Sequence, residues 1–350
     1  MTFHLVEIAN LYDLLLVGAG ITSASIVAEL NNTLRILVVD QRSHLGGNCY
    51  DYRSDGTYIH QYGPHIFHSK DQGVVDFLSR YTQWIEKRHW VQAITDSGQV
   101  VPFPYSKETE AILGKLSPEQ IIATFFRGYS EKMWGMSWEQ LPNAVKKRVP
   151  QNIDPPETSD YFPNQFTAYP KNGYSEMIGE MFNGKCEMKL GIGPDEWLTL
   201  SKQARKTVFM GRPDSIKLPG ETNQRYKDIT GDLSHRSLKI EHRSHKWDYK
   251  ASSVNFCSLS KPHTRQTCYR LMNGGSSDIC SFETPCDGTA DVTPYYPFPT
   301  EENNQRYQSI KKLVLGDYPN LVLGGRMGTY QYLDMYQAVA QGRVIANKVR

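Results

Sequence analysis

A short apolar run that ends in a glycine turn sets how this chain must begin to fold. Leu14-Leu-Leu-Val17 carries no charge, Gly18-Ala-Gly20 follows it, and a helix-like pattern runs from Ile21 to Leu30. An uncharged run of this length suits a strand buried on both faces. Strand, glycine turn and helix in succession open a dinucleotide-binding βαβ unit. Gly18 permits the tight turn. Gly20 lets the backbone approach a pyrophosphate, which sits at the helix N-terminus where unpaired N–H groups and the helix dipole favour an anion. Ser23 fills the third, small position. Arg35-Ile-Leu-Val-Val-Asp40 reads as the second strand, with Asp40 placed to bind a ribose hydroxyl. A second glycine pair, Gly46-Gly47, follows closely. That second turn is typical of FAD sites, so FAD is expected ahead of NAD, with a cofactor-free Rossmann fold as the third reading.

The rest of the composition excludes more than it selects. A net charge of +2 over 350 residues, with no block of like charges, gives no reason to expect nucleic acid or an anionic membrane as partner. No apolar run approaches the ~20 residues of a membrane span. The six cysteines are scattered and none forms a C-x-x-C pair, so zinc has no signature and reduced thiols in a cytoplasmic protein are expected. His65 and His68 lie three apart after the Gly63-Pro64 break. Without an obvious third ligand nearby no metal is expected, and His65 reads better as a contact to a flavin ring. The 21 tyrosines offer stacking faces with hydroxyls, which suits sugar and nucleotide sites, although many must be core.

Taken in order, the chain leaves its opening nucleotide fold and returns to it twice. Asp71 to Tyr81 reads as an amphipathic helix, and Trp90 to Pro104 as a hairpin turning at Ser97-Gly98. Helices are expected from Ser106 and from Ser117-Pro118, the latter with a serine cap and proline in its first turn. Strands are expected at Ser237 to Ile240, Ala251 to Cys257 and around Thr264 to Met272. Gly274 to Asp291, rich in Ser, Gly and Thr, reads as a loop. Thr207-Val-Phe-Met-Gly211 and Leu321 to Arg326 read as strands rejoining the opening sheet, before a helix near Asp334. The fold class is therefore α/β, a discontinuous Rossmann-like domain with a short helical insert and an antiparallel-sheet substrate domain. The expected boundaries are 1–85, 186–231 and 312–350 for the cofactor domain, 105–141 for the insert, and 86–104, 142–185 and 232–311 for the sheet domain.

Several blocks carry a more specific signal. Phe126-Arg-Gly-Tyr-Ser-Glu-Lys-Met-Trp-Gly135, Leu141-Pro142, Lys147-Arg148-Val-Pro150, Gly63-Pro-His-Ile-Phe-His68, Tyr295-Tyr-Pro297 and Gly324-Gly-Arg-Met-Gly-Thr-Tyr-Gln-Tyr-Leu-Asp-Met335 together resemble UDP-galactopyranose mutases, in that family's order and across nearly the whole chain. The resemblance implies an isomerase that interconverts pyranose and furanose forms of a nucleotide-sugar without net redox. It implies FAD, active when reduced, with N5 as nucleophile on the anomeric carbon. Cofactor contacts carried over by it are Gly18, Gly20, Ser23, Asp40, Gln41, Gly47, Asn48, His65, Arg326, Asp334 and Met335. Arg148 and Arg265 match the diphosphate-binding arginines and, with His65, form the expected catalytic set. Tyr129, Tyr296 and Tyr332 match phosphate-contacting tyrosines, Trp134 a pocket tryptophan, Tyr161 and Phe162 a base-stacking pair, and Asn255 a substrate-contacting asparagine. Phe125, Phe126 and Arg326 complete the expected substrate contacts.

The departures from the family pattern bear on substrate. Pro104-Tyr-Ser106 stands where the family carries Pro-x-Asn, Thr167 where it carries Gln, and Cys268-Tyr-Arg270 where it carries Glu-His-Lys. A changed sugar or base pocket is expected, with UDP-galactose or a related UDP- or dTDP-sugar as substrate. A homodimer is the family-based expectation, and the shortened insert is the region that would alter its interface. Two other classes share the fold: a FAD-dependent amine oxidase or desaturase, and an inactive FAD-binding homologue. The loop-rich segment from Pro150 to Asn164 is the expected lid over substrate.

Overall fold

The computed structural model describes residues 11–30, 34–147, 149, 154–217, 233–288 and 293–350. The chain divides into two compact units, one of Met1–Tyr50, Tyr174–Leu233 and Glu302–Arg350, the other of Asp51–Gly173 and Ser234–Glu301.

The first unit is built on a five-stranded sheet in which every pairing is parallel. Its order is Glu187–Leu190, Ile36–Asp40, Tyr12–Val17, Ala204–Phe209, Leu321–Leu323. The glycine-turn strand lies at the centre, with Leu16 opposite both Val38 and Val208. This explains its unbroken apolar run, since Leu14, Leu15 and Leu16 are fully buried and neither face meets water. Each such leucine contributes roughly 1.5–3 kcal/mol by burial. One face is covered where Leu15, Leu37, Val39 and Phe209 pack with Trp197, Ile310 and Val314. The closing helix Met335–Val349 packs on the opening helix Ile21–Leu30. At that crossing a Cβ on Gly342 would stand 2.6 Å from the Thr22 carbonyl oxygen, so only glycine lets the helices approach this closely.

The second unit centres on a seven-stranded mixed sheet. Its order is Tyr296–Pro297, His235–Ser244, Ile279–Asp287, Arg265–Cys268, Ser253–Phe256, Val91–Ile94, Val100–Phe103. The last two strands form the expected hairpin, and Gly98 takes a φ of 81° in its turn. Asp71 caps the helix Gln72–Leu78 by accepting from the Val74 N–H. Ser106 and Ser117 each close a capping box, on helices Lys107–Leu113 and Pro118–Ile121. The second of these does not stop at Ile121. It runs through a π-helical stretch, Ile122–Arg127, into Gly128–Trp134, and ends at Gly135 in the left-handed conformation. Such one-turn π segments often mark functional sites.

Two expectations fail here, the first being the strand around Thr264 to Met272, which ends at Cys268 and passes into the helix Tyr269–Asn273. The stretch from Gly274 to Asp291 is not a loop throughout, because Ile279–Asp287 is a nine-residue strand near the middle of the large sheet. Its Ser, Thr, Cys and Glu residues look solvated by composition. Central position buries them instead: Cys280, Ser281, Phe282 and Glu283 are each at most 2% exposed. Among the described residues no helix is long and apolar enough to cross a membrane. No disulfide joins any of the six cysteines.

Candidate active site

In the first unit the two glycine turns are one structure. Gly18 adopts a φ of 116° and Gly47 a φ of 57°. A Cβ on Gly47 would lie 3.0 Å from the Gly20 Cα, and the Gly46 N–H donates to the Ala19 carbonyl at 2.8 Å. The turn is braced from below, since the Ser23 hydroxyl donates to the Gly18 carbonyl. Asp40 binds the same turn: Oδ2 accepts from the Ala19 N–H at 2.7 Å and Oδ1 from the Arg42 N–H at 2.9 Å. Each oxygen keeps a second lone pair for a ribose hydroxyl. Arg42 Nη2 donates to Asn48 Oδ1 at 3.0 Å, which fixes Asn48, whereas Gln41 is exposed at the strand end. A glycine-walled turn at the N-terminus of a buried helix matches the needs of a dinucleotide pyrophosphate.

The closing block is ordered from within. The Gly325 N–H donates to Gln341 Oε1 at 2.7 Å. Arg326 Nε donates to the Leu333 carbonyl at 3.1 Å, and its guanidinium lies 4.9 Å from the centre of the Tyr332 ring. Asp334 caps the helix that begins at Met335, its N–H donating to Gln337 Oε1 at 2.9 Å. These residues hold one another in place, and Tyr332 itself is exposed.

The second unit brings Asn255, Tyr129 and Tyr296 together with Arg265. Asn255, Arg265 and Glu283 stand in one row across three neighbouring strands, each opposite the next. Directly opposite residues share a face of the sheet. Arg265 Nε donates to Glu283 Oε1 at 2.8 Å and Nη2 to Oε2 at 2.9 Å. Burial works against the charge on Arg265, but Glu283 more than offsets it, and the group is held well above its ordinary pKa. The Tyr129 hydroxyl is driven up by burial against the opposing pull of Arg265 and so stays a neutral donor. Glu283, Tyr161 and Tyr296 act electrostatically on the same Tyr129 group, which places three phenols and the guanidinium in one neighbourhood. Tyr161, expected to stack on a base, acts on Tyr129 and packs edge-on to Phe162, 5.0 Å between ring centres.

Other expected residues lie deeper. Phe125 is 2% exposed in a cluster with Val91, Val101, Phe103 and Cys257, and Phe126 sits partly buried at its edge. Trp134 packs edge-on to Phe298, 5.5 Å between ring centres, beside Leu141, Val145 and the partly buried Tyr296. His65 is positioned by its own loop: its N–H donates to His60 Nδ1 at 2.9 Å, and its Nδ1 pairs with the Gly63 carbonyl at 2.7 Å. Phe162 stacks on His68, ring centres 3.8 Å apart, and His68 Nδ1 bonds Gln165 Oε1 at 3.0 Å. Arg148, and residues 150–153 of the expected lid, lie outside the described residues.

Three of the residues at the departures from the family pattern, Ser106, Cys268 and Tyr269, lie inside the fold. Ser106 is fully buried, caps a helix and pairs with the Ser159 hydroxyl at 2.7 Å. Cys268 is buried opposite Cys280, and the buried Tyr269 donates its hydroxyl to the His60 carbonyl at 3.0 Å. These side chains are committed to capping and packing.

Three residues were not singled out from sequence. Glu283 was hidden by reading its strand as a loop. His89 is buried, its ring 5.4 Å edge-on from Tyr161 and 5.9 Å from Phe162, and burial, then Arg265 and His68, press its pKa down to about 3. Lys132 sends its ammonium to the carbonyls of Phe256, Lys261 and His263 at 2.8, 3.1 and 2.8 Å, tying down the loop that leads into Arg265. A single histidine before a strand and a lysine on a helix have no pattern that would reveal either. Among the described residues no group of three or more His, Cys, Asp or Glu is placed to hold a metal ion.

Comparison with known proteins gives a consistent result. A family model described as UDP-galactopyranose mutase matches residues 124–332, and one described as an NAD(P)-binding Rossmann-like domain matches residues 16–81. A UDP-galactopyranose mutase of Mycoplasma genitalium is 31% identical, the match covering 94% of this chain and 93% of the relative. A dTDP-fucopyranose mutase of Escherichia coli is 28% identical, covering 92% and 94%. Among solved structures, that of a reduced UDP-galactopyranose mutase superposes with a TM-score of 0.69 at 14% identity, covering 97% and 95%. A putrescine oxidase shares the fold more loosely, with a TM-score of 0.50 at 11% identity over 97% and 98%.

Proposed function

From the premise that the chain belongs to the UDP-galactopyranose mutase family, a family of isomerases, we propose that it interconverts the pyranose and furanose forms of a nucleotide-sugar by a flavin-dependent route without net redox. The substrate is UDP-galactose or a related UDP- or dTDP-sugar, a choice in keeping with relatives of both kinds. The observation that carries this reading is the half-buried Arg265, aimed by Glu283, with the neutral Tyr129 phenol beside it.

The turn of Gly18, Gly20 and Gly47, braced by Ser23 and Asp40, fits a FAD pyrophosphate, with Gln41, Asn48, His65, Arg326, Asp334 and Met335 as further contacts. When bound and reduced, the flavin supplies a nucleophile, N5, toward the anomeric carbon. The protein's own part is to bind, orient and stabilise charge. Glu283 occupies Nε and Nη2 of Arg265, so the remaining guanidinium hydrogens are presented to a second anion in a fixed direction. Tyr129 and Tyr296 donate to oxygens of the same diphosphate, with Tyr332 and Arg148 as family-matched additions, and Tyr161 stacks with Phe162 on the base. As the bond from the anomeric carbon to the diphosphate breaks, negative charge grows on the departing oxygens, and donors already in place stabilise it without reorganisation. Trp134, Phe126, Phe162 and Asn255 shape the surrounding pocket, and Phe125 supports it from the core.

The test is to incubate dithionite-reduced and oxidised protein with UDP-galactose, its furanose form and dTDP-sugars, and to follow furanose, pyranose and oxygen. Isomerisation by the reduced protein alone, with no oxygen or acceptor consumed, is expected. Stoichiometric acceptor consumption would instead show an oxidase, and bound flavin with no turnover of any sugar an inactive homologue.

A further inference from the structure

We propose that Cys268 and Cys280 form a reversible disulfide that acts as a redox switch on nucleotide binding. The proposal rests on the reading of Arg265 as the anchor of a diphosphate and adds a control built into the two strands that carry it.

The two cysteines stand directly opposite each other on the antiparallel strands Arg265–Cys268 and Ile279–Asp287. The Cys268 N–H turns away from this neighbour, to the Ser252 carbonyl at 2.8 Å. The cysteines therefore form a pair without mutual backbone bonds, the kind whose Cα atoms lie about 4.5 Å apart and whose side chains approach most closely. That separation is within the range a disulfide spans. Both side chains are fully buried in a cluster with Trp247, Val254, Phe256 and Phe282. They nevertheless sit at the strand ends, where Arg270 and Asp278 are exposed. Strand ends open locally at low cost, which admits a molecule little larger than water. Cys268 is also one of the positions where this chain departs from its family's pattern.

The two thiols are unlike, and each has its own part. The hydrogen bond from Cys280, joined by the Leu271 N–H and Arg270, draws the Cys268 thiol down to about 6 against the effect of burial. Cys280 is pushed up, first by giving that bond and then by burial. Cys268 is the thiolate, the nucleophilic form, and a hydroperoxide is its oxidant. The Cys268 sulfur attacks one peroxide oxygen, the O–O bond breaks, and the departing hydroxide takes up a proton to become water. The Cys280 sulfur then displaces hydroxide from the Cys268 sulfenic acid, and its own proton leaves with that hydroxide as a second water. Two thiols and one hydrogen peroxide give one disulfide and two waters, with two electrons passed to the peroxide. Closing the bond draws the sulfur atoms to about 2.0 Å. Arg265 and Glu283 lie three residues along the same two strands, on the other face and roughly 10 Å away. A close-packed sheet passes the movement on, and the guanidinium edge that Glu283 aims is turned from its direction.

The experiment uses flavin-loaded protein with its flavin oxidised throughout. One sample is kept with dithiothreitol, and the other is treated with hydrogen peroxide and then freed of it. Peptide mapping locates any disulfide, and calorimetry measures UDP binding. Peroxide is expected to join Cys268 to Cys280 and to weaken UDP binding roughly fivefold, about the worth of one hydrogen bond, and dithiothreitol to restore it. Cys280→Ala is expected to bind UDP as the reduced wild type does, before and after peroxide. The urea midpoint checks that this variant is folded, and Cys268→Ala serves the same comparison if it is not. Failure of the Cys268–Cys280 bond to form under peroxide overturns the proposal. So does a bond that leaves UDP affinity within twofold, or an equal loss of affinity in the alanine variant. A reduced wild type that does not bind UDP overturns the nucleotide-sugar reading itself, and the switch falls with it.

Discussion

Arg265 and Glu283 stand directly opposite each other on neighbouring antiparallel strands and close a two-pronged ion pair. The carboxylate is almost wholly buried while the guanidinium keeps about a quarter of its surface. A buried carboxylate is tolerated only when paired, and here its partner's free edge is thereby aimed. The pair is better understood as a way of fixing a cation than as a source of stability.

Arg265→Lys tests that aim. Lysine keeps the charge but not the fork, so Glu283 loses one of its two bonds and the second anion loses a directed donor pair. Nucleotide affinity is expected to fall at least about tenfold, with a stability loss of about 1–3 kcal/mol. Flavin content is expected to be retained, since the glycine turns lie in the other unit. Titration with UDP and absorbance of bound flavin measure the two effects separately, and loss of flavin together with UDP would refute the division of labour.

Gly47→Ala addresses the cofactor end. The new methyl group would meet the Gly20 backbone at 3.0 Å on a residue with φ of 57°. The left-handed conformation alone costs a non-glycine residue roughly 1 kcal/mol, and the contact pushes the two turns apart. Purified variant protein is expected to carry a minor fraction of the wild-type flavin. Full flavin occupancy would mean that the turns can separate without harm.

Lys132→Met removes three donors from three carbonyls at once. Carbonyls left without partners in a partly buried loop cost about 1–3 kcal/mol in total. The urea midpoint should drop accordingly, and nucleotide binding should weaken with it because the same loop delivers Arg265. An unchanged affinity beside a lowered midpoint would confine Lys132 to folding.

The acid sensitivity of the second unit has a definite sign. Burial, then the neighbouring His242, press the pKa of His60 from its ordinary 6.5 to about 3. Between those values the unfolded chain takes up a proton that the folded chain refuses. Stability from this group is therefore complete above about pH 6.5 and lost as pH falls toward 3, at up to about 1.4 kcal/mol per pH unit. His60→Asn keeps an acceptor for the His65 N–H and does not titrate. Urea unfolding between pH 7.5 and 5 should show a shallower slope in the variant, and parallel slopes would exclude His60 as a contributor.

What was legible in the sequence had strong local causes. The glycine turn, its flanking strands and the capped helices at Asp71, Ser106 and Ser117 each follow from residues next to one another. Glu283 and His89 were not legible, because their roles come from burial and from partners far along the chain. The carboxylate of Glu283 looks like a solvated charge until its strand is seen between two others. Ser106, read only as a departure from the family pattern, has its hydroxyl spent on a helix cap and on Ser159. Family likeness supplied the positions of the tyrosines around Arg265, and only three dimensions show Glu283 holding that arginine.

The π-helical stretch Ile122–Arg127 has a bearing on how this chain can vary. It lies between the capped start of the helix and the segment bearing Tyr129 and Trp134. An α-helix advances about 100° per residue, so a one-residue change in length that the wide turn did not absorb would swing both aromatic side chains off their bearings while leaving every residue of the motif intact. Length between Ser117 and Tyr129 thus matters as well as identity, and a chain could keep all its signature letters yet point them at nothing.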